Sequence, residues 1–140
     1  MYKKILVPVD GSEQAAKAAL QAAEIASAMG AEITLFHVVV PLTVIDTPSD
    51  IKELFMRENQ QQGQRILEQA RKRIDSYNLT VKTETASGHQ AHEICKKAKD
   101  NNYDLVVIGS RGLGEIKSFL MGSVSKQVVQ HADCPVLIVR

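Results

Sequence analysis

The chain has 140 residues, the size of one domain spanning 1–140, with 44% hydrophobic residues and a formal net charge of +1. That near-neutral balance, with Glu and Lys interspersed, argues against a nucleic-acid binder or an anionic-membrane binder, and no apolar run approaches the ~18 residues of a membrane span. Aromatics make up 4% and Trp is absent, so the core must be aliphatic.

The opening Met1-Tyr-Lys-Lys-Ile shows no signal-peptide pattern and runs directly into a first strand over 4–9, so a cytoplasmic location is expected. Asp10-Gly-Ser12 supplies a turn and a helix cap, and Ala16, Ala19, Leu20 and Ala23 form an alanine-rich helical stripe that ends at Gly30. A second strand covers 32–39. The segment 41–50, with Pro41 and Pro48, reads as a loop. A long polar helix follows over about 51–77 with Ile66, Ala70 and Ile74 as its inner stripe. Gly63, at the end of Gln60-Gln-Gln, costs that helix about 1 kcal/mol relative to Ala and marks a point for a bend. The third strand, 80–86, leads through Ser87-Gly88 to a helix carrying Ala91, Ile94, Cys95 and Ala98. The fourth strand, 103–109, is a continuous apolar run; a helix with Val124, Val128 and Ala132 and a last strand over 135–140 close the chain.

Strands and helices therefore alternate, and runs such as Leu105-Val-Val-Ile are apolar on both faces. This predicts an open parallel sheet with right-handed crossovers and helices on both sides. Ligands of such sheets sit beyond the carboxyl ends of the strands, where the strand order reverses. Cys95 and Cys134 form no CxxC and read as plain thiols of a reducing compartment. His89 and His92 stand three apart but have no evident third ligand, and read as an exposed helix start.

Three pieces point to a nucleotide. Asp10 follows the first strand, either as an acceptor for ribose hydroxyls or as a turn aspartate. The backbone of His37-Val38-Val39 would reach a crevice rim and meet an adenine edge. The third piece is Gly109-x2-Gly112-x9-Gly122-Ser123, two glycine corners separated by a long arm. Glycine lets backbone amides approach an anion, and Gly-Ser at a helix start adds a hydroxyl at the positive end of the dipole; ordinary turn punctuation is the alternative. Ser123 and Ser125 offer hydroxyls, and Arg111 and Lys117 are either phosphate partners or solvated surface charge. There is no GxxxxGK[ST], the dinucleotide fingerprint fails after Gly112-Leu-Gly114, and the acidic cluster of a phosphoacceptor domain is missing.

These residues resemble the universal stress protein family over nearly the whole chain. Lys4-Ile-Leu-Val-Pro-Val-Asp10-Gly-Ser12, Leu35-Phe-His37-Val38, Asp104-Leu-Val-Val-Ile-Gly109-Ser-Arg-Gly112, Gly122-Ser123-Val124-Ser125 and Cys134-Pro-Val-Leu-Ile-Val-Arg140 are similar to its strands and to the glycine signature of its ATP-binding branch. Gly88-His89-Gln90-Ala91 departs from it, since many relatives have proline near Gln90. The resemblance implies a sheet of order 3-2-1-4-5, an adenine nucleotide alpha hydrolase-like fold. It implies adenine near Val38 and ribose near Asp10, with Pro8 and Val9 among the nucleotide-binding residues. Phosphates would lie along Gly109, Ser110, Arg111, Gly112, Leu113, Gly114 and Glu115, and against Gly122, Ser123, Val124 and Ser125. It further implies ATP with Mg²⁺ or Mn²⁺ held through the phosphates, a homodimer through the last strand, and a switch-like role in the stress response with an unidentified signalling partner. No strong general base is present beyond Asp10, so at most slow ATP hydrolysis or autophosphorylation is expected. A nucleotide-independent interaction module is the remaining alternative.

Overall fold

Among the described residues five strands alternate with four α-helices, as the apolar runs require. The computed structural model describes residues 1–42, 46–112 and 121–140. Strands β1 (Lys4–Pro8), β2 (Glu32–Val39), β3 (Val81–Ser87), β4 (Leu105–Gly109) and β5 (Val136–Val139) form one parallel sheet in the order β3-β2-β1-β4-β5. The central strands β1 and β4 carry the uninterrupted apolar runs and are buried throughout, apart from Lys4. The edge strand β3, Val-Lys-Thr-Glu-Thr-Ala-Ser, is polar and only half buried.

Alternation along each strand divides the core. Ile5, Val7, Val9, Ile33, Leu35 and Val107 face α1 (Glu13–Met29) and α2 (Ser49–Arg73). Leu6, Phe36, Val38, Val106 and Ile108 face α3 (Gln90–Asp100) and α4 (Ser123–His131). Ser12 caps α1, accepting from the Ala15 amide at 3.1 Å, and Gly30 ends it in the left-handed conformation. The buried face of α1 is Ala15, Ala18, Ala19, Ala22, Ala23 and Ala26, which corrects the expected stripe: Ala16 is half buried and Leu20 is exposed. Alanines occupy so many positions of this helix that spacing alone leaves its phase open. The small side chains bring α1 against the sheet so closely that a Cβ on Gly109 would lie 2.8 Å from the Gln14 carbonyl carbon.

The second helix runs unbroken through Gly63 and ends in a short 3₁₀ turn, Asp75–Tyr77. The helix is not broken at Gly63, which faces the sheet (below). At the opposite end of the sheet, the Asp104 carboxylate accepts from the Lys3 and Lys4 amides at 2.8 and 2.9 Å, fastening β4 to β1. Those two bonds hold its carboxyl below the usual aspartate range. Among the described residues no helix is long and apolar enough to cross a membrane.

Candidate functional site

Strand order reverses between β1 and β4, and a cleft of about 580 Å³ opens there at the carboxyl ends of the strands. Four of the segments that wall it were expected from the sequence. Pro8, Val9 and Asp10 end β1; His37, Val38 and Val39 end β2; Gly109, Arg111 and Gly112 leave β4; Gly122, Ser123, Val124 and Ser125 open α4. Residues from positions 8 to 125 thus meet at one place. Leu113, Gly114, Glu115 and Lys117 lie outside the described residues, as do positions 43–45 of the expected loop.

Asp10 is half buried and adopts a turn: its Oδ1 accepts from the Ser12 amide at 2.9 Å. A Cβ on Gly112 would sit 2.5 Å from its Oδ2, so the missing side chain of Gly112 makes room for this carboxylate. Gly109 similarly makes room for α1. Both glycines were read from the sequence as openings for an anion, and both are also places where protein packs against protein.

Ser110 is buried and lies behind the cleft wall. Its amide donates to the Val139 carbonyl at 2.7 Å, and its carbonyl accepts from the Gly122 amide at 2.7 Å and the Ser125 hydroxyl at 2.8 Å. The Ser125 hydroxyl also lies 3.1 Å from the Gly122 carbonyl. Its single proton is therefore committed to holding residues 110 and 122 together, and only its oxygen lone pairs remain for another group. Ser123, by contrast, is exposed at the cleft.

Gly122 is the N-cap of α4, with extended backbone and no side-chain capping bond. The first-turn amides of Ser123, Val124 and Ser125 consequently have no intrahelical acceptor, and no acidic residue sits in that turn. This end of the cleft is electropositive by backbone geometry alone. At the other end, β2 outruns β1. The Val9 amide donates to the Phe36 carbonyl at 2.9 Å, so Phe36 addresses β1, and by the alternation of a parallel ladder Val38 points the same way, past the end of β1 and into the cleft. The His37 ring lies on the other face of β2, with Nδ1 2.9 Å from the Val9 carbonyl. Gly63 of α2 lies over it: a Cβ there would be 2.8 Å from His37 Cδ2.

One wall was missed in the sequence. Phe55, Asn59, Gln62 and Ile66 of α2 line the cleft. Their spacing of four, three and four residues is a helical face, and that stripe is the signal that could have found them. His89 is the N-cap of α3, its Nδ1 accepting from the His92 amide at 3.4 Å.

A five-stranded parallel sheet in this order, with a cleft at its central reversal, defines an α/β protein of the adenine nucleotide alpha hydrolase-like class. Residues 1–140 match the model of the universal stress protein family, and the chain belongs to that family. It is 36% identical over 148 residues to the universal stress protein YxiE of Bacillus subtilis, with 100% of both chains covered. Among solved structures it is similar to the universal stress protein UspA from Lactobacillus plantarum, at 29% identity and a TM-score of 0.89, covering 99% of this chain and 98% of that one. It is also similar to a universal stress protein solved in complex with cAMP, at 26% identity and a TM-score of 0.77, covering 99% and 97%.

Proposed function

We propose that this protein binds ATP in the cleft and acts as a nucleotide-dependent regulatory switch in the cytoplasmic stress response. The observation that carries the reading is the convergence of the uncapped start of α4, the Asp10–Gly112 contact and the outrunning end of β2 on one cleft. Adenine lies against the Val38 backbone and the ribose hydroxyls meet Asp10, with Pro8 and Val9 lining the cleft beside it. The phosphates run from Gly109, Arg111 and Gly112 through Leu113, Gly114 and Glu115 toward Gly122, Ser123, Val124 and Ser125, with Ser110 bracing that corner from behind. The adenine and ribose ends of this assignment are the parts that ATP shares with cAMP, the ligand of the similar solved structure.

Mg²⁺ or Mn²⁺ accompanies the triphosphate. The oxygen donors of Asp10 and Ser123 along the phosphate path suit such a hard cation, which is held mainly through the phosphates themselves. Bound metal would neutralise phosphate charge; the chain's own part is to orient the tail with backbone dipoles. Two copies pair through β5, whose four residues are only half buried and meet β4 along one edge. Ligand occupancy then sets the surface offered to a signalling partner.

Calorimetric titration with Mg·ATP tests the reading. Saturable binding that Gly122→Val weakens at least tenfold is the expected result. No saturable binding by the parent protein at millimolar ATP overturns it. Light scattering of the same samples checks the dimer.

A further inference from the structure

The cleft owes one of its polar groups to a substitution in the β1–β2 ladder. Every second residue of β2 addresses β1: the Glu32 amide donates to the Lys3 carbonyl at 2.9 Å, Leu6 pairs with Thr34, and the Val9 amide donates to the Phe36 carbonyl. The next rung of this series would run from the Val38 amide to the Val9 carbonyl. That rung is not formed. The Val9 carbonyl is taken instead by a side chain, His37 Nδ1 at 2.9 Å.

A carbonyl can only accept, so Nδ1 carries the proton of this bond, and in the neutral ring the lone pair sits on Nε2. The ring reaches Val9 because α2 has no side chain above it. A Cβ at Gly63 would come 2.8 Å from Cδ2 and 3.4 Å from Nε2. The glycine that weakens the middle of a 25-residue helix is thus the one that seats this imidazole.

We propose that His37 is a positioning residue for base recognition: by holding the Val9 carbonyl toward its own ring rather than toward β2, it ends the ladder one rung early and leaves the Val38 N–H directed into the cleft beside the Val38 carbonyl. This rests on the nucleotide-binding reading above. A neighbouring N–H and C=O on one residue match an acceptor beside an amino donor, the edge adenine presents. Guanine presents a carbonyl where adenine has its amine and an N–H where adenine has a ring acceptor, so each Val38 group would meet its like. His37 touches no base in this arrangement. It selects for adenine through the backbone it holds.

Two measurements test this. The first needs no ligand: amide hydrogen exchange of the nucleotide-free protein by NMR. Val38 exchanges quickly in the parent chain. In His37→Phe, with the Val9 carbonyl released, the rung closes and Val38 exchange slows by about tenfold or more. Equal exchange of Val38 in both proteins overturns the proposal. The second is titration with ATP and with GTP. The parent and His37→Asn, whose amide nitrogen stands near the Nδ1 position, keep the same preference for ATP. His37→Phe and His37→Gln, which place no donor at Nδ1, lose about three- to tenfold of it, the worth of one neutral hydrogen bond. If all four variants discriminate alike, His37 does not position the base. If His37→Phe does not fold, the Asn and Gln variants carry both measurements. If the parent binds neither nucleotide, the nucleotide-binding reading fails, and the exchange experiment still decides whether His37 displaces the Val38 rung.

Discussion

Replacing Gly63 with alanine sets two effects of known sign against each other. Gly63 lies in the interior of α2, where Gly→Ala should stabilise by about 1 kcal/mol through helix propensity alone. The added Cβ, however, would stand 2.8 Å from His37 Cδ2, so the ring must retreat by roughly 0.7 Å to reach ordinary carbon contact. The ring is not free to swing away, because Nδ1 is bonded to the Val9 carbonyl at 2.9 Å. Overpacking against a fixed group costs about 1–3 kcal/mol, and straining the Nδ1 bond adds part of another ~1 kcal/mol. The clash wins, and Gly63→Ala destabilises by about 1–2 kcal/mol. Urea unfolding measures this directly, and thermal melting should fall by roughly 3 °C for each kcal/mol in a chain of this size. In a His37→Ala background the obstacle is gone and the same substitution should stabilise. A Gly63→Ala protein more stable than its parent by the full propensity gain would refute the reasoning.

Gly109→Ala should destabilise by about 1–3 kcal/mol in urea unfolding, because its Cβ would meet the Gln14 backbone, which cannot rotate away. Asp104→Asn should lower stability at neutral pH by less than about 1 kcal/mol, since the carboxylate is only partly buried and solvent screens it. The Asp104 pKa is lowered by the Lys3 and Lys4 amides, so its contribution is present above the unfolded value near 3.9 and is lost as pH falls through the folded value. The parent–variant difference, followed by urea unfolding from pH 7 to pH 2, should therefore shrink in acid. Burial raises the pKa of Cys95, with Asp133 adding to it, and burial likewise raises that of Cys134. Alkylation by iodoacetamide at pH 7 should accordingly be slower for the folded protein than for the urea-unfolded chain.

The architecture was legible because it rests on patterns that physics makes coarse. Runs such as Ile5-Leu-Val and Leu105-Val-Val-Ile suit only strands covered on both faces. The phase of α1 was not legible, because many alanines satisfy several helical registers and the single Leu20 carries no burial of its own. Within the site, sequence spacing located the corners at Gly109, Gly112 and Gly122 without revealing what each glycine avoids. The Gln14 backbone and the Asp10 carboxylate emerge as neighbours only once β1 and β4 are adjacent. Asn59 and Gln62 gave no chemical signal, since amides on a polar helix look like any solvated face. The sharing of Ser110 between β5 and the start of α4 was equally hidden, as it depends on three hydrogen bonds, each across more than ten residues of sequence.

Ser110 works as a buttonhole. Gly122 and Ser125 are both sewn to its carbonyl, while its own amide is pinned to Val139. Whatever length of polypeptide is threaded between these stitches, the origin of α4 keeps its place relative to the last strand. Insertions or deletions in that span are thus a variable that evolution can alter without redrawing the pocket's far wall.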